Sequence, residues 1–304
     1  MTYLTTFVML CVAFSLEDDG KSLTLLDEGK PVFVYNYETV EPPRLVPEQH
    51  RRSCYIHPLY GLDGEIMTQD FPRDHFHHRG VFWAWPLCSI GGKPLDVWVT
   101  NTARQLHEKW ITREAGEDRA EIAVNNVWVY LDAPEKPLIR ESIRIVVHPV
   151  RENRRDIDFD LQFENVSGET ATFLGAKDKG YGGLCLRPDA TRKPMQFTTA
   201  GGPIDEDQLR YETPWTDVSY PVRPDGPLSG AAFFQHPGNP GYPHIGWIMR
   251  HYGFLGVCWP HEEEFTLPAG ESFRLRYRLV VHRGSAEDAR IAEAFREYVE
   301  SINP

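Results

Sequence analysis

Period-two alternation of apolar and charged side chains narrows the folds open to this chain. Ile157, Phe159, Leu161 and Phe163 alternate with Asp156, Asp158, Asp160 and Gln162. The pattern returns at Phe273, Leu275, Tyr277, Leu279 and Val281, set against Arg274, Arg276 and Arg278. Successive side chains of a strand point to opposite faces, so each run buries one face and solvates the other, as in an antiparallel sheet. Three Asp on one run and three Arg on the other predict a cross-strand charge ladder.

Other short apolar runs, punctuated by 24 Gly and 24 Pro, extend this reading. Lys21–Leu26 and Val32–Tyr37 form a hairpin around Asp27-Glu28-Gly29-Lys30. Residues 38–54 are a polar, Pro-rich surface loop. Gln105–Thr112, Arg119–Leu131 and Leu138–His148 are strands, and strands resume at Gly230–Gln235, Ile245–Met249 and Phe254–Trp259. Seven prolines between residues 187 and 227 predict a long loop that serves as a lid or site wall. One helix is expected at the C-terminal end, capped by Ser285 with Asp288, its stripe being Ile291, Phe295, Tyr298 and Ile302. The expectation is an all-β, large antiparallel β-sandwich with one C-terminal amphipathic helix, a single domain over residues 17–304.

Residues 1–16 leave two readings open. Thr6–Leu16 has the apolarity of a signal h-region with small residues Ala13 and Ser15, yet no Lys or Arg precedes it; the other reading is a buried first strand. Export and a cytoplasmic location therefore both stand. The run is too short to span a bilayer. A net charge of −12 opposes nucleic acid as a partner, since phosphate binding needs a basic face. Cysteines 11, 54, 88, 185 and 258 show no ligand-like spacing and read as isolated buried thiols.

Chemistry concentrates between His57 and Trp85. His75, His77 and His78 crowd together after Asp74 and before Arg79-Gly80, at the mouth of the apolar run Val81–Trp85. Such crowding has little packing rationale, and imidazoles titrate close enough to neutrality for proton transfer. On an extended backbone His75 and His77 share a face and His78 takes the other. The first pair has a familiar metal-ligand spacing, so a divalent metal is a weak alternative, with His107-Glu108 or His261-Glu262 as further donors; no complete ligand set is spelled out. Two more stretches join as candidates. Lys177–Arg187 holds Gly180, Gly182 and Gly183, which permit close backbone approach, with Lys179 and Arg187 for hydroxyls or a carboxylate. Gln235–His244 is a stiff loop that would fix His236 and Asn239 at a pocket rim. Trp215 with Asp217, and Trp247, offer aromatic faces and a polar group suited to sugars. No GxSxG elbow or phosphate-cradling GK[ST] ending is present.

HPLY (57–60), DHFHHRG (74–80), KGYGGLCLR (179–187) and FQHPGNP (234–240) resemble the bacterial family of unknown function often labelled methane oxygenase PmoA. The similarity runs from about Val32 to His282. Phe76 stands where that family commonly shows Pro. The resemblance implies a galactose-mutarotase-like supersandwich and an association with sugar catabolism. It does not imply methane oxidation, because a membrane copper oxygenase needs spanning helices and the chain has no run of that length.

The expected function is a carbohydrate-active epimerase, lyase or hydrolase with no cofactor. Its acid–base groups would be His75, His77, His78 and His236. His57, Asp74, Arg79, Lys179, Arg187, Trp215, Asp217, Asn239 and Trp247 would bind substrate. The alternatives are a metal-dependent cupin-like enzyme or a noncatalytic carbohydrate-binding protein.

Overall fold

Two large antiparallel sheets face each other across a shared core in the structure, a computed structural model that describes residues 14–302. One sheet has eight strands and the other nine; a third of four strands stands beside them. The nine-stranded sheet contains both alternating runs as neighbours, Arg154–Asn165 and Ser272–Arg283. Their apolar sides point into the core, where Phe159, Leu161, Leu275 and Leu279 meet Leu25, Phe33, Ile56 and Leu184 of the eight-stranded sheet. The all-β sandwich with one C-terminal helix is therefore as expected.

The charge ladder forms on the outer side. Asp158 lies opposite Arg278 and Asp160 opposite Arg276. Arg278 donates to Asp158 at 2.7 and 2.8 Å and to Asp156 at 3.1 Å, while Arg274 reaches Asp160 diagonally. Helix Ile291–Ile302 packs on the same outer side, with Ile291, Ala294 and Tyr298 over Trp215, Phe234 and Val280.

Three expectations change. Residues 187–227 are not one long loop: Gln196–Thr199, Gly202–Ile204 and Trp215–Pro221 are strands of the nine-stranded sheet, the last of them wholly buried. Its prolines sit at strand ends, Pro214 before and Pro221 at the close, where a missing N–H costs no central ladder bond. Ser285 and Asp288 do bond reciprocally, but they close a separate turn. Arg290, at φ 54°, separates that turn from the helix beginning at Ile291. The segment Thr6–Leu16 divides: residues 6–13, with Cys11, lie outside the described residues, and Phe14–Asp18 is an edge strand paired with Ser22–Asp27. Cys54, Cys88, Cys185 and Cys258 are free and buried.

One polar group crosses the core. Glu141 follows the inward parity of Ile139, Ile143 and Ile145 and is wholly buried. Its two oxygens accept from Trp83 Nε1 (3.1 Å), Gln105 Nε2 (2.7 Å), Asn126 Nδ2 (3.0 Å) and Trp128 Nε1. Burial pushes its pKa up, against the pull of these four donors. An acceptor-only carboxylate is the form that four N–H donors fit. Trp83 belongs to the eight-stranded sheet and the other three donors to the nine-stranded one, so the carboxylate ties the sheets together.

Glu141→Gln turns one acceptor oxygen into a donor facing donors. A loss of roughly 2–4 kcal/mol in urea unfolding is expected; an unchanged midpoint would remove the tie. In the ladder, burial alone would raise the Asp158 carboxyl, but bonds from His148 and Arg278 outweigh it and hold the group at about 2. Its stabilisation is thus full above the unfolded value of 3.8 and lost as pH falls through about 2. Asp158→Asn should flatten acid unfolding over that window by about 1–2 kcal/mol, allowing for its partly solvated surface.

Candidate functional site

The histidine segment is not extended. His75 N–H donates to the Pro72 carbonyl at 3.0 Å and His78 N–H to that of His75 at 2.9 Å, so two successive turns carry the chain into strand Val81–Ala84. The expected strand-like split of side chains is replaced by a cluster of all three imidazoles. His75 and His78 stack at 4.6 Å and 5°. His77 meets His78 edge-on at 4.6 Å and His75 at 5.7 Å. Tyr252 stacks on His75 at 5.0 Å.

These rings line a cavity of about 530 Å³. Its other walls are Pro86 and Trp98, soon after in the chain, and Lys179, Tyr181, Arg250 and Tyr252 from far along it. Sheet order explains the meeting, because strands Val81–Ala84, Gly183–Leu186, Phe254–Val257 and Trp247–Arg250 are consecutive neighbours in the eight-stranded sheet. The turns leading into and joining these strands supply the wall. Gly180, at φ 74°, makes one of them possible, since a Cβ there would lie 2.1 Å from the His261 ring. Trp98 is held by Asp96, which accepts its N–H at 2.8 Å, and by Arg52, which donates to its carbonyl at 2.7 Å.

A polar chain backs His75. Arg187, almost wholly buried, donates to both oxygens of Asp74 at 2.7 and 2.9 Å. Asp74 accepts from His75 Nδ1 at 3.0 Å. A carboxylate on Nδ1 fixes that proton and leaves Nε2 as the acceptor of the neutral ring. Burial, reinforced by His75 and Arg52, pushes His77 down to about 3; burial and the adjacent imidazoles also hold His78 well below the usual imidazole range. Both rings are therefore neutral at physiological pH. Burial raises Tyr181 and Tyr252, which stay protonated as donors.

Of the residues named from sequence, His75, His77, His78 and Lys179 line the cavity, and Asp74 and Arg187 stand directly behind. The rest do not line it. Arg79 is wholly buried, paired with Asp70 at 2.9 Å and packed 3.2 Å over the Phe71 ring. His57 is tied to Thr68 Oγ1 at 2.9 Å. Trp247 is core and donates to the Thr213 carbonyl. Trp215 lies under the helix. Asp217 is sealed, accepting from His282 Nε2 and Ser219 Oγ, each at 2.7 Å. Gly230, between them on the sheet, leaves His282 the room to reach. His236 and Asn239 sit beside Tyr298 and Arg276 on the helix side, and burial with Arg276 lowers His236 to about 4. They form no opposite wall to the histidine cluster.

The sequence reading missed Trp98, Tyr181, Arg250 and Tyr252. Tyr181 was within reach, lying inside the Gly-rich stretch; the others carry no local signal. Among the described residues no group of three His, Cys, Asp or Glu side chains is arranged to hold a metal ion. His261 Nε2 instead donates to the Leu209 carbonyl, and His107 packs against Tyr37 and Trp110. No described helix is long and apolar enough to cross a membrane.

Several solved structures resemble the chain at low identity. The GH36 α-galactosidase AgaA from Geobacillus stearothermophilus matches at 11% identity and TM-score 0.40, covering 91% of this chain and 41% of its own. A heparan sulfate lyase HepC mutant from Pedobacter heparinus matches at 8% and 0.39, covering 90% and 36%. Galactose 1-epimerase from Lactobacillus acidophilus NCFM matches at 11% and 0.38, covering 88% and 93%. The chain thus spans less than half of the first two, and at these scores the likenesses carry no weight for activity. No curated protein matches the sequence. The model of a family of unknown function, DUF6807, matches residues 22–296, and the chain belongs to that family.

Proposed function

We propose that the protein is a carbohydrate-active enzyme in which His75 moves a proton on a sugar or sugar-derived substrate. The observation that carries the reading is the Arg187–Asp74–His75 chain opening on a cavity walled by Trp98, Tyr181 and Tyr252. Aromatic faces pack against the C–H faces of sugar rings, while hydroxyl and imidazole groups bond their hydroxyls. A volume near 530 Å³ falls within the range of small-ligand pockets, which suits one or two sugar rings. Neutral His77 and the tyrosine hydroxyls orient the ligand, and His75 Nε2 takes or returns the proton. Epimerisation, elimination and hydrolysis all require such a step, and each remains within this reading.

Turnover of a sugar library by the wild-type chain and by His75→Ala is the direct test. Loss of roughly 100- to 10,000-fold in kcat/KM is expected, with the fold retained by circular dichroism. Asp74→Asn should lose less, because it alters the tautomer and orientation of a ring still present. A His75→Ala variant as active as wild type, or no sugar bound or turned over by the wild type, overturns the reading.

A further inference from the structure

Acidic residues outnumber basic ones in this chain, 44 to 32, yet no Asp or Glu lines the cavity. Lys179 and Arg250 do. Two carboxylates bonded to groups at the cavity are already committed. Asp74 is held by Arg187 and His75, and Asp207 accepts from Arg250 Nε at 2.8 Å and from His251. Arg250 spends Nη1 on the Tyr181 hydroxyl at 2.9 Å. Lys179 is exposed and has no ion-pair partner among the described residues. Behind His75, Arg187 Nε and Nη1 are sealed without an acceptor. The lining thus carries two cationic side chains and no acidic one, and the Lys179 charge is left free for a ligand. A neutral ligand would leave that charge unused; an anionic one would complete it.

We propose that the ligand carries an anionic group, a sugar carboxylate or a sugar phosphate, seated on Lys179 beside Arg250. The inference rests on the carbohydrate reading above and names the substrate class within it. The aromatic walls take the ring, and the anion fixes which edge of the ring faces His75.

Calorimetry on the full chain separates the possibilities. The panel pairs glucose with glucuronate and glucose 6-phosphate, and galactose with galacturonate and galactose 6-phosphate, at neutral pH and low salt. At least one acidic sugar should bind about tenfold or more tightly than its neutral parent, the scale of one charge-assisted bond. Whether carboxylate or phosphate shows the gain identifies the source of the charge. Lys179→Ala should bring that ligand down to its parent's affinity, added salt should weaken it, and Lys177→Ala, exposed two residues away and outside the cavity lining, should not. Equal binding of acidic and neutral sugars, or a preference that survives Lys179→Ala, overturns the inference while the carbohydrate reading stands. Absence of binding by every sugar overturns both.

Discussion

A buried carboxylate that accepts four N–H bonds is the constraint around which the rest is arranged. Glu141 sits at an inward position of a central strand and gathers Trp83, Gln105, Asn126 and Trp128. An ion in that position is tolerable only where every lone pair is matched, so the four donors must hold their register. The tie continues outward: Arg52 donates to Gln105 at 3.4 Å and to the Trp98 carbonyl at 2.7 Å. Trp98 then forms one wall of the cavity. Core polarity and site geometry are thus linked through a short series of side chains.

The cavity owes its properties to depth as much as to composition. Imidazoles stacked on one another and on Tyr252, with Phe82 and Phe254 close to His78, are poorly hydrated. Poor hydration disfavours the charged ring, which is why His77 and His78 are neutral. His75 has other partners: Asp74 binds its Nδ1 and Arg187 binds Asp74. Three like residues within four positions therefore sit in different environments, set by what touches each.

A similar division separates the two polar regions of the nine-stranded sheet from the site. The outer ladder of Asp156, Asp158, Arg274 and Arg278, and the sealed Asp217–His282 pair, use the residue types of an active site for structure. Their charges are paired within the protein. At the cavity, by contrast, Lys179 has no ion-pair partner among the described residues.

The sequence determined the class of fold and singled out the histidine cluster that lines the cavity. Alternation at 156–163 and 273–281 dictated paired antiparallel strands, since side-chain parity is a local property of extended backbone. The apolar stripe from Ile291 likewise specified the helix, and the crowding at 75–78 marked residues that line one cavity. Glu141 shares the inward parity of Ile139, Ile143 and Ile145, but the reading of Leu138–His148 as a strand did not single it out. Strand pairing was decided by tertiary structure, and with it the meeting of Trp98, Lys179, Tyr181, Arg250 and Tyr252 around those histidines. Tertiary structure also withdrew His236, Asn239, Trp215, Asp217, Trp247 and Arg79 from the cavity. Local pattern says which way a side chain faces; which distant turn lies opposite depends on sheet order, and no short stretch of sequence encodes that.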